Sequence, residues 1–189
     1  MTRIDKTPVT VWIYAYQAAR FEALKKIQAA KERAEIGRLV ALGNTTKEAR
    51  ILVARMRPER WPGLETLVAA AVERRLAEPD LAGPWRELTE GEEEELALSG
   101  RWPGASLGVS MVQRNYKLPS GLVRQLRTAA WRKSEEPLRE LRGRGLVGAG
   151  LVLSDAQKAV RDELAAQLYP VPRIVREALA RYESSSHGE

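Results

Sequence analysis

Two short stretches of the chain alternate polar and apolar residues, and the rest repeats apolar residues every three or four positions. The first alternating stretch, 8–16 "PVTVWIYAY", is rich in β-branched and aromatic residues behind a proline and predicts a strand. From Gln17 the period changes. Phe21, Leu24, Ile27, Ile36, Leu39 and Leu42 mark one face of a helix that Gly43-Asn44 stops. Thr45 caps a second helix that breaks near Pro58, and a third runs from about Leu64 to Leu76. The second alternating stretch predicts a strand from about Val109 to Leu118, followed by a helix from Pro119 to Lys133. Ser134 is placed to cap a further short helix with Pro137 in its first turn, and "GRGLVGAG" (143–150) reads as a flexible break. Ser154 opens another helix, and after "YPVP" comes a closing one, "RIVREALARY".

The order strand, helix, further helices therefore occurs twice. Tyr14 pairs with Tyr116, Phe21 with Val123 and Leu24 with Leu126 at an offset of 102, and the closing helices match at 107, Leu67-Val68 with Ile174-Val175. This pattern suggests a diverged internal repeat. Residues 1–78 form the first unit, 79–108 an acidic Pro/Gly-rich linker carrying "EGEEEEL", 109–183 the second unit, and 184–189 a disordered tail. The expected fold is mainly α with a short two-stranded antiparallel ribbon, since a strand cannot stand alone and a ribbon backed by helices would bury its apolar face.

Composition agrees with a helical protein: 30% of residues are charged and only 6% aromatic. The net charge of +6 favours an acidic partner, and the excess is concentrated, with 10 basic against 3 acidic residues between 101 and 150. The absence of cysteine removes disulfides and thiolate chemistry and suits a reducing cytoplasm. No apolar run has the layout of a signal peptide or approaches the ~20 residues that span a bilayer, so a soluble, cytoplasmic protein with no membrane partner is expected.

The chemistry concentrates in "QRNYKLPSGLVRQL", 113–126. Alternation puts Gln113, Asn115 and Lys117 on one face of the second strand, with Val112, Tyr116 and Leu118 on the other and Arg114 between them. Gln and Asn can bond adenine N6 and N7, and Lys can donate to guanine O6 and N7 or to phosphate. This stretch resembles the strand and first helix of ribbon-helix-helix repressors, the Arc and methionine repressor superfamily. The three polar residues fall at that family's base-reading positions, Pro119 at its proline, and Leu122, Val123 and Leu126 on the apolar face of its first helix. The resemblance implies a ribbon in the major groove, a phosphate at the N-terminus of the second helix, and a ribbon-helix-helix-like, pseudo-duplicated fold. The closing helix is preferred as the second helix, the Ser134 helix being the alternative. In the first strand, either Val11, Ile13 and Ala15 take the reader positions, or the register differs and Thr10, Trp12 and Tyr14 face outward.

Beside these, Arg114, Arg124, Arg127, Arg132, Lys133 and Arg173 are candidate DNA contacts, with Thr10 and Trp12 on the first strand. The five tryptophans are scattered and read as packing anchors. The one histidine, His187, lies in a polar tail, and no phosphate loop, metal-ligand spacing or catalytic constellation is present, so neither an enzyme nor a cofactor is expected. The function implied is a sequence-specific binder of double-stranded DNA, a transcriptional repressor or plasmid or phage maintenance factor, acting as a homodimer or a single-chain pseudo-dimer. The alternatives are a helical adaptor or scaffold and a sequence-independent DNA-compacting protein.

Overall fold

The computed structural model describes residues 5–93, 110–148 and 150–185. The remainder of the acidic connection with Trp102, Ala149 in the glycine-rich break, and the tail carrying His187 lie outside the described residues. In chain order the elements are β1 (Lys6–Tyr14), α1 (Ala15–Ala41), α2 (Thr46–Arg60), α3 (Leu64–Leu76), β2 (Met111–Pro119), α4 (Ser120–Gly143), α5 (Asp155–Gln167) and α6 (Val171–Ser185). The protein is mostly helical with one two-stranded antiparallel sheet, β1 against β2.

Strand β1 ends two residues earlier than its composition suggests. The Tyr14 N–H donates to Gln17 Oε1, a side-chain bond back to the N-cap as the chain turns into α1 at Ala15. The ribbon pairs Pro8 with Lys117, Thr10 with Asn115 and Trp12 with Gln113. Its ladder is closed at both ends by matching bonds, Ala15 N–H to the Ser110 carbonyl and Ser120 N–H to the Asp5 carbonyl, each 3.0 Å. Val9, Val11 and Ile13 of β1 and Tyr116 and Leu118 of β2 are buried, while Pro8, Thr10, Trp12, Gln113, Asn115 and Lys117 are exposed. Of the two registers open to β1, the one with Thr10 and Trp12 outward is therefore observed. An offset of 102 puts the opposite face of β1 outward. The observed bounds, Lys6–Tyr14 and Met111–Pro119, are 105 apart, as are the starts of α1 and α4.

One core lies beneath the ribbon and draws on both ends of the chain: Val11 and Ile13, Phe21, Val68 and Val72, Leu122 and Leu126, Ile174 and Leu179. Truncating a fully buried leucine of this set, Leu126, costs about 2–5 kcal/mol by the usual core scale. Helix α3 packs along β2, α6 along β1, and the two helices pack on each other. They also finish the open edges of the ribbon. Glu65 Oε1 accepts the Lys117 N–H at 3.2 Å, and an Arg176 Nη donates to the Trp12 carbonyl at 2.9 Å. Each bond takes up one outward backbone group of its edge.

Three helix boundaries depart from the sequence pattern. Ser134 caps no helix: α4 continues through it to Gly143 with Pro137 inside. The Ser134 side chain is fully buried, and its Oγ accepts the Tyr169 N–H at 2.8 Å. Burial of Trp131, Leu138 and Leu141 in a second cluster with Leu164 and Leu168 outweighs the hydrogen bond that the proline removes. Helix α2 likewise passes Pro58 and ends at Arg60. The break after α4 opens as an ordered stop, with Gly145 at φ 63° and the Leu146 N–H on the Leu141 carbonyl.

Candidate nucleic-acid interface

The outer face of the ribbon is a row of side chains with no counterpart in the core. On β2 it carries Gln113, Asn115 and Lys117, on β1 Lys6, Pro8, Thr10 and Trp12, and the register interleaves them. Among the described residues the side chains of Thr10, Gln113, Asn115 and Lys117 make no hydrogen bond or ion pair. They are held in place from below, because Val9, Val11 and Ile13 of β1 and Tyr116 and Leu118 of β2 are anchored in the core. Trp12 is 48% exposed, so an indole ring stands in a solvated row beside Gln113. Beyond it Tyr14 and Tyr16 stack, 5.5 Å between ring centroids, and the Arg176 guanidinium lies 5.7 Å from the Tyr14 ring. No family model, curated protein or solved structure matches this chain. The face has to be read from its own chemistry.

Eleven positions are singled out by the sequence, and the structure distributes them unevenly. Gln113, Asn115, Lys117, Thr10 and Trp12 come together on the outer face. Arg114 does not join them. It lies opposite the buried Val11, on the inward side of β2, and its Nη donates to the Gln113 carbonyl. Burial pushes the Tyr116 hydroxyl above its ordinary pKa, and the nearby Arg114 charge opposes that shift.

Arg124 and Arg127 are exposed on the first turns of α4. They line a cleft of about 490 Å³ with Thr7, Ser120 and Glu93, at the end of the ribbon where Lys6 and Lys117 also lie. Neither makes a hydrogen bond or ion pair among the described residues. The other candidates are engaged in holding the fold. Arg132 donates to both oxygens of Glu92, at 2.8 and 2.9 Å, and reaches the Arg86 and Glu87 carbonyls. Through these bonds it clasps the start of the acidic connection to α4. The Glu92 carboxyl is thereby held down to about 2, by the Arg132 bond first and the Thr89 backbone second. Arg173 stacks over the Tyr169 ring at 3.9 Å and donates to Glu177 and to the Ala166 and Leu168 carbonyls. Lys133 sits over the same ring, 5.7 Å away.

One charged centre escapes a sequence reading. Arg75 is 1% exposed in the α3–α6 contact, with both Nη groups on the Asp80 carboxylate at 2.7 Å. Glu177 and Glu78 add further bonds, and Arg181 pairs with Glu78. The Asp80 bonds raise the Arg75 pKa and lower that of Asp80, so this pair is charged throughout the neutral range. Glu78 and Asp80 follow Arg75 by three and five residues, whereas Glu177 comes from a helix about a hundred residues away, so no local signal marks the centre as buried.

The helix ends that the resemblance assigns to phosphate are modified here. The first turn of α3 carries Glu65, which pairs with Lys6 at 3.1 Å. The first turn of α6 carries Pro172, which has no N–H to offer, and the Arg173 N–H is taken by the Pro170 carbonyl. Among the described residues no acidic or histidine cluster could hold a metal ion, and no helix is long and apolar enough to cross a membrane.

Proposed function

We propose that this chain is a sequence-specific DNA-binding protein of ribbon-helix-helix type, a transcriptional repressor or plasmid or phage maintenance factor. Both strands of its ribbon come from one polypeptide. The observation that carries this reading is the exposed row Gln113, Asn115 and Lys117, without partners among the described residues and set on a strand whose other face buries Tyr116 and Leu118. A ribbon of this kind matches the width of a major groove, about 12 Å, and its amides and ammonium group match purine edges there. Supporting it, β1–α1 and β2–α4 share an offset of 105, under which the buried set Gln17, Ala18 and Phe21 falls on Leu122, Val123 and Leu126. The crosswise packing of α3 on β2 and α6 on β1 is what two fused copies of a strand-helix-helix unit would give, with the remaining helices as elaborations.

Affinity comes from Lys117, Arg124 and Arg127 on phosphates, and specificity from the strand side chains. Three phosphate contacts correspond to a slope of about −2.7 in log K against log salt. The test is fluorescence anisotropy on labelled duplexes selected from a random pool, compared with Gln113→Ala/Asn115→Ala/Lys117→Ala. The variant is expected to lose preference for the selected sequence and to retain its circular dichroism spectrum. Equal preference in the two proteins ends the assignment of this face.

A second reading, a helical adaptor, draws on the α1–α2 hairpin. Helix α2 packs chiefly on α1, and Val40, Leu42, Ile51 and Leu52 of the pair are exposed. A chain that captures a partner protein through this hairpin would keep that activity in the triple variant.

A further inference from the structure

Resting on the DNA-binding reading above, we infer that the chain reads a non-palindromic DNA element in one fixed orientation, one chain per site, with Thr10 recognising a thymine methyl in the half that β1 faces. The register decides this. A two-fold axis through the ribbon runs between Thr10 and Asn115, which are paired, and relates Pro8 to Gln113 and Trp12 to Lys117. Each such pair presents different chemistry. On the β2 side Gln113 and Asn115 offer an acceptor and two donors each, and Lys117 offers a charged donor. On the β1 side Pro8 has no polar side-chain atom and Trp12 only an N–H donor. Thr10 presents a hydroxyl and a methyl. A symmetric operator would give one half to amides that complement adenine and the other, of identical sequence, to side chains that cannot bond it. Apolar contact suits the C5-methyl of thymine, so the β1 half selects differently.

The flank of arginines without partners among the described residues is one-sided as well, since Arg176 at the opposite end is held by the Trp12 carbonyl. Arg124 and Arg127 lie at the Lys6–Lys117 end of the ribbon, and the positions 105 earlier on α1 are Ala19 and Glu22. Glu22 is itself paired with Lys25. The phosphates contacted by that pair therefore belong to one side of the site, which fixes the polarity of the bound chain independently of base readout.

Selection from a random duplex pool, with native mass measurement of the complex, tests this directly. The expected result is a consensus without dyad symmetry and one chain per duplex. A palindromic consensus bound by two chains overturns the asymmetry and leaves DNA reading standing, whereas failure to enrich any sequence removes the DNA-binding reading itself. On the selected site, thymine is then replaced by uracil at each position of the β1 half. Wild type should lose about threefold to fivefold in affinity at one position, the worth of one buried methyl. Thr10→Ser, which keeps the hydroxyl and discards the methyl, should be indifferent to that replacement. If Thr10→Ser stays as sensitive as wild type, Thr10 is not the methyl reader.

Discussion

Lys117 and Arg75 show how differently one positive charge is used. Lys117 is exposed on the ribbon with a free ammonium group, while Arg75 is enclosed by three carboxylates. Lys117→Ala should leave stability unchanged and reduce the salt slope of DNA binding by about one, measured by anisotropy across a salt series. Arg75→Ala leaves Asp80 and Glu177 facing each other without their shared cation. It should cost about 3 kcal/mol in urea unfolding, the low end for a broken buried pair because those carboxylates still reach water. The first role is legible from alternation along one strand, since parity alone separates Gln113, Asn115 and Lys117 from Tyr116 and Leu118. The second is not, because Arg75 is closed off from water, and Glu177 reaches it, only after α3 and α6 have packed. The partners of Arg132 and Arg173 are hidden from the sequence for the same reason. A basic residue on a helix carries no local mark of whether a carboxylate or a ring will find it.

At the scale of elements, the departures come from tertiary burial overruling local chemistry. Ser-Glu-Glu-Pro has the composition of a helix start, yet the Ser134 hydroxyl is recruited by the Tyr169 amide and α4 runs on to bury Leu138 and Leu141. The offset of 102 followed identities such as Tyr14 with Tyr116, whereas the fold preserves the phase of burial, and a shift of three residues reverses the faces of a strand. The caps at Thr45 and Ser154, by contrast, stand where the pattern placed them, because a capping box is satisfied within four residues. The clasp of Arg132 on Glu92 is an element-scale joint with a pH signature. Glu92 titrates near 2 in the folded protein against an ordinary 4.5, so the clasp is complete above about 4.5 and is lost as pH falls toward 2. Carboxyl chemical shifts should place the Glu92 midpoint near 2, and Arg132→Ala should return it toward 4.5.

For the whole molecule, the decisive property is that the ribbon is intramolecular. A ribbon assembled from two chains comes apart on dilution, while one closed within a chain does not. The thermal midpoint of this protein should be the same at 1 and 100 µM, on the order of concentrations accessible to calorimetry and fluorescence, and a rise with concentration would indicate assembly from two chains. The mainly α class with one ribbon was legible in outline. That the two strands would be each other's partner was legible only as an option, since pairing between distant segments has no local signature.

Closing the ribbon within one chain also sets the order of events during synthesis. The Thr7 and Ser120 hydroxyls that meet beside it are 113 residues apart, so β1 leaves the ribosome long before β2 exists. Bringing such distant ends together carries an entropic cost of about 4 kcal/mol, which must be met before the contacts beneath the ribbon return anything. Until then Val9, Val11 and Ile13 remain an uncovered apolar edge, the kind of surface that chaperones hold and that drives aggregation when they are scarce. Folding that waits on so remote a partner should be slow for a helical protein of this size, and expression yield should depend more on nascent-chain protection than on final stability.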